Sequence, residues 1–287
     1  VMKTQNLRFG EAVKFLASLA GMKPYTFSKQ DEQREKDWNI YKDIYKTYVD
    51  YFQNELLKSE YSTEAKSYLK NRGLRLEDVK NFNLGYVTNK IDFYDYLLKK
   101  FDKQNIKNSG IFYQDEKKQL FINRFRERII FPIKNISGDI IAIGGRSIKE
   151  NNYLAKYINS PETQFFKKGS NLYNLDKSRK LSNKVDYVYL VEGYMDVIGL
   201  NKNNINNVVA NLGTALTTNQ ISILNQFFNS IIICFDGDES GYKAALRAAE
   251  NSIIEIKPEK KILFLFLPDK HDPDSYVNKF GKNAFLE

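Results

Sequence analysis

The sequence feature that most constrains the fold is the alternation of apolar, strand-like runs with helical stretches after residue 185. Strands are predicted over 185–191, 207–210, 231–235 and 262–267, and helices over 194–201, 219–229 and 241–254. Strands that alternate with helices favour βαβ units joined in a parallel sheet. Because 231–235 and 262–267 are apolar throughout, both strands are predicted to be buried on both faces. The sequence therefore predicts an α/β domain with a mostly parallel sheet flanked by helices.

Acidic motifs follow three of these strands. They are Glu192-Gly193-Tyr194-Met195-Asp196, Asp236-Gly237-Asp238 and Asp272-Pro273-Asp274. Each motif alone is equally typical of a turn or a helix cap. Three such motifs in succession are more informative, because the carboxyl ends of parallel strands lie at the same edge of the sheet, where ligands bind. Clustered carboxylates repel one another unless a hard cation neutralises them, and phosphoryl transfer uses such cations. The motifs therefore favour a metal-dependent phosphoryl-transfer site.

Composition limits which metal such a site could hold. With one cysteine and one histidine, the chain cannot form a Cys/His zinc site by itself. Carboxylate ligands favour Mg²⁺ or Mn²⁺. A single cysteine also suits a reducing compartment, and no apolar run approaches the ~18 residues of a membrane span. A cytoplasmic, nucleoid-associated protein with no membrane contact is expected.

Charge is distributed unevenly along the chain, whose net charge is +9. Residues 117–180 contain 14 Lys or Arg and 5 Asp or Glu, which gives +9, whereas residues 181–287 contain 10 and 13, which gives −3. A basic segment that leads into an acidic one indicates a polyanion track beside a cation-holding site. A solvated surface would give the same balance.

The first part of the chain is predicted to be mixed α/β. Helices are predicted over 7–20, 33–58, 62–70 and 91–100, and strands over 128–133 and 139–143. The helix over 33–58 carries an aromatic stripe, Trp38, Tyr41, Tyr45, Tyr48 and Phe52. Such a stripe is interpreted as core rather than as a surface on which bases stack.

The acidic set Glu192, Asp236 and Asp238 resembles the Toprim signature, which DnaG-type primases, topoisomerases and some nucleases share. Several segments, in the family's order over about residues 62–280, resemble the primase branch specifically. They are Arg124-Phe125-Arg126 with 128–133, Gly144-Gly145-Arg146, 156–163, 191–196, 211–215 and 236–241.

The resemblance implies a fold and a domain order. The fold is a Toprim domain, Rossmann-like with a mostly parallel sheet flanked by helices, preceded by a mixed α/β basic N-terminal subdomain. Residues 1–23 are expected to be the tail of an upstream zinc-ribbon domain plus a linker. Residues 24–167 would form the basic subdomain of the primase core, and residues 168–287 the Toprim catalytic subdomain.

The resemblance also implies an activity. The chain would be the core of a DNA-dependent RNA polymerase that synthesises short RNA primers on single-stranded DNA during replication, by metal-dependent nucleotidyl transfer. Its partners would be a single-stranded template, nucleoside triphosphates and, through a C-terminal domain outside this chain, the replicative helicase. Zinc is expected only in an upstream domain.

Residue roles carry over by position. Glu192, Asp236 and Asp238 are predicted to be catalytic, Glu192 as general base or as metal ligand. The predicted ligands of Mg²⁺ or Mn²⁺ are Glu192, Asp236, Asp238, Asp272 and Asp274. Phosphates of template or nucleotide are assigned to Arg124, Arg126, Arg128, Arg146, Lys156, Lys167 and Lys168. Supporting roles are predicted for Asp196, Asn159 and Gly193. His271 lies in a departure from the family pattern, and a solvated loop position is expected for it.

Two other functions fit part of this pattern. A Toprim nuclease or topoisomerase fragment would share the acids, but no motif marks a nucleophilic tyrosine among the 19 present. A non-catalytic single-stranded DNA-binding module would gain nothing from clustered acids beside a polyanion. Incorporation of nucleotides, as opposed to strand scission or binding alone, distinguishes the three.

Overall fold

The structure is a computed structural model of the chain that describes residues 9–22, 28–117, 120–149, 155–213, 215–235, 239–253, 257–268 and 271–287. The helices within these ranges are α1 Phe9–Leu19, α2 Lys29–Lys58, α3 Thr63–Asn71, α4 Leu76–Asn81, α5 Phe93–Leu98, α6 Lys103–Asn108, α7 Leu175–Ser178, α8 Tyr194–Lys202, α9 Thr218–Asn225, α10 Glu239–Ile253 and α11 Pro273–Leu286. The strands are β1 Gly85–Val87, β2 Phe112–Asp115, β3 Leu120–Asn123, β4 Arg128–Lys134, β5 Ile140–Ser147, β6 Tyr157–Asn159, β7 Tyr187–Val191, β8 Val208–Ala210, β9 Ser230–Phe235 and β10 Lys261–Phe266.

Residues 1–41 and 42–287 form two compact units. In the first, α1 ends where Gly21 adopts a φ of +65° and the Met22 amide donates to the Ala17 carbonyl at 2.8 Å. Glycine tolerates this left-handed conformation at a helix end. The helix predicted over 7–20 is confirmed from residue 9 onward, and residues 7 and 8 lie outside the described residues.

The long helix α2 begins four residues before the predicted start at 33. Ser28 and Asp31 explain the difference, because they form a reciprocal cap. The Ser28 hydroxyl accepts from the Asp31 amide at 3.1 Å, and the Asp31 carboxylate accepts from the Ser28 amide at 3.0 Å. Such caps satisfy amides that a first helical turn leaves without partners.

The second unit confirms the core interpretation of the aromatic stripe. Tyr45, Tyr48 and Phe52 are fully buried. The Tyr48 ring packs edge-on against Phe93, with ring centroids 5.5 Å apart. Edge-to-face packing of this kind stabilises the fold by about 0.5–1.5 kcal/mol beyond the contribution of the buried ring area.

An antiparallel sheet follows, with strand order β1-β4-β5-β6. The predicted strand over 139–143 is longer than expected, because β5 continues through Gly144 and Gly145 to Ser147. The β2-β3 hairpin, which the sequence did not predict, forms a separate two-stranded sheet. This part of the chain is the predicted mixed α/β basic subdomain, although its boundary at residues 167 and 168 stays a prediction.

The parallel sheet has strand order β10-β9-β7-β8 and confirms the predicted fold class. Helices α9 and α10 contact each other and β9, while α8 contacts α11 and β8. Leu190, Ile233 and Leu224 belong to the apolar core shared with α9 and α10. Since β7 connects towards β8 and β9 connects towards β10, the connections diverge between β7 and β9. Ligands bind at such a point in open α/β sheets.

Two predictions about this region are wrong. The strand β10 is not buried on both faces, since Leu263 and Phe266 are 49% and 48% exposed at the edge of the described sheet. Helix α9 ends at Asn225 and not at 229, because the following residues turn so that the Asn229 amide donates to the Asp186 carbonyl at 2.7 Å. In the part of the chain that the structure describes, no helix has the length and apolar character needed to span a bilayer.

Candidate active site

A cavity of about 360 Å³, the crevice, lies at the carboxyl edge of the parallel sheet, where β7 ends and α8 begins. Among the residues that line it are three acids and three cations, Glu192, Asp196, Asp272, Arg72, Arg146 and Lys156. Tyr157, Asn159, Gly193, Tyr194, Met195, Asn211 and Gly213 also line it. The crevice therefore joins predicted acidic strand ends to part of the predicted basic stretch.

Glu192 directly follows β7 and is exposed to the crevice. The backbone after it is fixed by Asp196, whose Oδ2 accepts from the Gly193 amide at 3.0 Å. Asp196 is buried in the first turn of α8, where the helix dipole favours a negative charge. The structure thus brings Glu192 together with Gly193 and Asp196, two of its predicted supporting residues.

The second acidic motif, Asp236 and Asp238, lies outside the described residues. The strand before it, β9, pairs in parallel with β7, with Leu190 opposite Ile233, and ends at Phe235. Among the residues that the structure describes, no group of three or more His, Cys, Asp or Glu could hold a metal ion. The five-residue metal set therefore stays a prediction.

The two acids of Asp272-Pro273-Asp274 have different surroundings. Asp272 lines the crevice and caps α11, because its Oδ1 accepts from the Ser275 amide at 2.7 Å. Asp274 is 5% exposed and is not among the described residues that line the crevice. Burial and the charge of Asp272 raise the pKa of the Asp274 carboxyl.

His271 is half-buried and not among the described lining residues of the crevice. Its Nδ1 lies 3.3 Å from the Ser275 hydroxyl. The ring packs edge-on against Tyr276 and Phe280, with centroids 5.9 and 5.4 Å away. These contacts place His271, just before α11, against two aromatic side chains of that helix.

On the cationic wall, Arg146 extends from β5 between two aromatic rings. Its guanidinium carbon lies 5.0 Å from the ring centroids of both Tyr68 and Tyr157. The Nη1 of Arg146 donates a hydrogen bond to the Tyr157 hydroxyl. Burial raises the pKa of Tyr157 to about 12, so the phenol stays neutral at physiological pH. Within the described residues, the buried Nε of Arg146 has no hydrogen-bond partner. Arg146 is thus held rigidly at the crevice by the two rings, and its buried Nε is an unpaired donor within the protein.

A hydrogen-bonded pair connects the two sheets across the crevice. The Tyr194 hydroxyl donates to Asn159 Oδ1 at 2.5 Å, and Asn159 Nδ2 donates to the Leu212 carbonyl at 2.7 Å. The Tyr194 ring stacks on Phe131 and lies so close to Gly144 that a Cβ there would be 2.5 Å from it. The glycine at 144 is therefore needed for contact with Tyr194.

Arg124 and Arg126 lie beside the β2-β3 hairpin and not among the described residues of the crevice. Arg124 Nε donates to the Gly110 carbonyl at 3.1 Å, and its guanidinium lies 5.3 Å from the Tyr113 ring centroid. Arg126 donates to the Tyr113 hydroxyl at 3.2 Å. The two arginines line separate cavities of about 490 and 380 Å³ beside the hairpin.

The other three predicted phosphate contacts lie near protein groups, Arg128 and Lys167 through their side chains and Lys168 through its backbone amide. Arg128 is buried, and its guanidinium donates to the Lys156 carbonyl at 3.1 Å. Burial lowers the pKa of the Arg128 guanidinium. The Nζ of Lys167 lies 3.6 Å from Glu162 Oε2. The other carboxylate oxygen of Glu162 accepts a hydrogen bond from the Lys168 backbone amide at 2.9 Å. The basic stretch is therefore divided between the crevice, the hairpin and a loop around Glu162.

Sequence reasoning missed Arg72 and Tyr157 as lining residues of the crevice. For this region the sequence predicted only a helix over 62–70, and α3 ends at Asn71, just before Arg72 and Gly73, which has a φ of +69°. No local signal connects residue 72 to a motif 120 positions later in the chain. Tyr157 lies between two residues that were singled out, and the apolar–polar alternation of β6 is too short to mark it.

Family comparisons agree with this architecture. Residues 51–179 match the N-terminal domain of the DNA primase catalytic core, and residues 186–265 match the Toprim domain. A DNA primase of Neisseria meningitidis serogroup A is 37% identical over 99% of this chain and 48% of its own length. One from Buchnera aphidicola is 38% identical over 99% of this chain and 49% of its own.

Solved structures give the same result. A DNA primase domain from Pseudomonas aeruginosa is 38% identical with a TM-score of 0.79, over 86% of this chain and 77% of that one. A DnaG primase catalytic domain bound to single-stranded DNA is 34% identical with a TM-score of 0.78, over 88% and 81%. The fold and the crevice thus define a Toprim protein. The chain belongs to the DnaG primase family, and it spans about half the length of the curated relatives it matches.

Proposed function

We propose that this chain is the RNA-polymerase core of a primase, which synthesises RNA primers on single-stranded DNA by metal-dependent nucleotidyl transfer. The observation that carries the proposal is the crevice, where acids that follow strands of the parallel sheet share a cavity with cations of the antiparallel sheet and of the end of α3. A metal–triphosphate complex has this division of charge, with a cation at one end and phosphate oxygens along its length.

The acids fit a hard divalent cation. Glu192 and Asp272 offer carboxylate oxygens to the crevice, and Asp236 and Asp238 are the further ligands that the family resemblance implies. All are oxygen donors, the set that Mg²⁺ and Mn²⁺ prefer. When bound, the metal would neutralise charge on the transferring phosphate and orient the attacking hydroxyl. Zinc binding and helicase binding would belong to other parts of a longer primase.

The cations fit the phosphates. Arg146, held between Tyr68 and Tyr157, presents a rigid guanidinium whose donors match phosphate oxygens. Lys156 and Arg72 add two charges on the same wall. Glu192, across the crevice, would either take the proton of the attacking 3′-hydroxyl or hold the metal. The hydrogen bond between Tyr194 and Asn159 holds the two walls of the crevice together.

The hairpin arginines fit a template strand better than a nucleotide. Arg124 and Arg126 lie beside Tyr113, which is 36% exposed, in grooves that contain Phe112 and Phe121. Single-stranded nucleic acids bind to surfaces that combine cations with aromatic rings. A family member was solved with single-stranded DNA bound, and we propose the same class of partner for this chain.

The test is a primer-synthesis assay with labelled ribonucleotides, Mg²⁺ or Mn²⁺, and a single-stranded template. We expect short RNA products that depend on both template and metal. Strand scission without incorporation would favour a Toprim nuclease instead, and binding without either reaction would favour a non-catalytic module. A chain in which Glu192 is replaced by glutamine is the matched inactive control.

A further inference from the structure

The second acid of the Asp272-Pro273-Asp274 motif has no place in the proposed mechanism. Asp272 lines the crevice, whereas Asp274 is 5% exposed and is not among the described residues of its wall. A buried carboxylate is costly unless cations or hydrogen bonds compensate for its lost hydration. The partners of Asp274 therefore indicate what it does.

Asp274 is held in place from two sides. Its Oδ1 accepts from Asn278 Nδ2 at 2.7 Å, one turn further along α11. On the other side the backbone of α8 approaches so closely that a Cβ at Gly199 would collide with the carboxylate. A carboxylate confined in this way has few alternative positions, and it can orient a charged partner.

The charged partner of Asp274 is Arg72. Its Nη1 lies 3.8 Å from Asp274 Oδ2, too far for a hydrogen bond but close enough for a strong Coulomb attraction. The Arg72 side chain is 37% exposed and lines the crevice, so one end of this ion pair is buried and the other faces the proposed triphosphate. Lys202 on α8 is a second cation whose charge acts on Asp274, and it is not among the described lining residues.

The Arg72 backbone is equally fixed. Helix α3 ends in a left-handed turn in which the Gly73 amide donates to the Lys70 carbonyl at 2.8 Å and the Leu74 amide to the Leu69 carbonyl at 3.0 Å. The Arg72 guanidinium carbon also lies 5.9 Å from the Tyr68 ring centroid, a contact that leaves a long side chain with several accessible rotamers. An anchored anion beside it reduces that sampling.

We infer that Asp274 is a positioning residue that holds the Arg72 guanidinium in the crevice for a nucleoside triphosphate. The inference rests on the proposed function only for the identity of the anion. It separates the two acids of one motif, since Asp272 faces the reacting groups and Asp274 acts through Arg72.

The test is a double-mutant cycle on the 287-residue chain with Asp274→Asn, Arg72→Ala and the double variant. Affinity for a fluorescent GTP analogue, KM and kcat for incorporation, and Mn²⁺ affinity are measured for each. Asp274→Asn should raise KM about threefold to tenfold with little change in kcat, the range of coupling for a contacting charged pair. In the Arg72→Ala background it should have no further effect, and Mn²⁺ affinity should stay that of the wild type.

Matched variants keep the result specific. Asp78 has the same kind of pair as Asp274, being 6% exposed and 3.8 Å from Arg75, but neither residue is among the described lining of the crevice. Asp78→Asn and Lys202→Ala should therefore leave KM unchanged. If Asp274→Asn fails to fold, Asn278→Ala replaces it. Asn278 is exposed, and its loss should raise KM in the same direction by a smaller factor.

Additive effects of Asp274→Asn and Arg72→Ala would overturn the inference, as would a loss of Mn²⁺ affinity in Asp274→Asn, which would make Asp274 a metal ligand. A chain that binds the GTP analogue with the expected coupling but incorporates no nucleotide would overturn the proposed function and leave the positioning role intact. Failure of the wild type to bind the analogue would overturn the positioning role itself.

Discussion

The two sheets supply opposite charges to one crevice by different structural means. The parallel sheet presents Glu192 just beyond a strand, where the side chain is exposed and the backbone is fixed by a helix start. The antiparallel sheet presents Arg146 from within a strand, where the side chain is buried between aromatic rings. An acid at a strand end depends on local geometry, whereas an arginine inside a strand depends on what packs around it. Activity should therefore be lost when the carboxylate of the acidic wall is replaced. The cationic wall should be disturbed by changes in the packing around it.

The sharpest test of the acidic wall is Glu192→Gln. It should reduce primer synthesis by about 10²–10⁴-fold, the contribution typical of an acid–base group. Folding should be unaffected, because the side chain is exposed. Glu60→Gln, at an exposed acid outside the crevice, is the control and should be fully active. Wild-type rates in purified Glu192→Gln would refute the assignment.

On the cationic wall, Arg146→Ala should raise the KM for nucleoside triphosphates by about 10- to 100-fold, because hydrogen bonds to charged groups contribute about 1.5–3 kcal/mol. Steady-state incorporation kinetics measure the change. Arg179→Ala removes an arginine whose Nε donates to the Ile136 carbonyl and which is not among the described crevice residues, so its KM should stay normal. An unchanged KM in Arg146→Ala would assign this arginine to the template.

The contact between the two walls can be broken at Gly144. A Cβ there would meet the Tyr194 ring at 2.5 Å, so Gly144→Ala should lower the free energy of unfolding by about 1–3 kcal/mol, as overpacking does. Thermal or urea denaturation measures the change. Gly169→Ala, whose Cβ would approach only the Thr217 methyl at 3.2 Å, should cost less. Equal stabilities of the two variants would show that the walls are not tightly coupled.

The smallest expected effect concerns the hairpin. If Arg124 contacts one template phosphate, Arg124→Ala should flatten the plot of log affinity for single-stranded DNA against log salt by about 0.7. The KM for triphosphates should not change. Fluorescence anisotropy at several salt concentrations gives the slope, and Arg179→Ala again serves as the control. A slope change in Arg146→Ala but not in Arg124→Ala would reverse the proposed division of the basic stretch.

Much of the parallel sheet was predictable because its information is local. The fold class, and the edge at which Glu192 and Asp272 lie, followed from apolar runs of strand length, helical periodicity between them and acids after three of the four strands. Burial was less predictable at the sheet edge. The run over 262–267 has the composition of an interior strand, yet β10 lies at the edge of the described sheet. The composition of a strand shows how much apolar surface it could bury. The position of the strand in the sheet determines how much of that surface is buried.

The cationic wall shows the limit of a basic stretch as a predictor. The seven cations assigned to phosphates between 124 and 168 looked like one track, but of these only Arg146 and Lys156 line the crevice, while Arg124 and Arg126 lie at the hairpin. Successive residues along a strand point to opposite faces of the sheet and antiparallel strands reverse direction, so residues close in sequence can end far apart.

What the sequence alone determined is therefore the alternating α/β order, the acids at the strand ends and the family to which they belong, because each is written in short stretches of chain. Tertiary structure decided which cations face those acids. Arg72, from a helix end in the first half of the chain, reaches the crevice beside Asp272 and lies 3.8 Å from Asp274. Charge acts through space and not along the chain, so the cations near Asp274, Arg72 and Lys202, come together only once α3, α8 and α11 have packed.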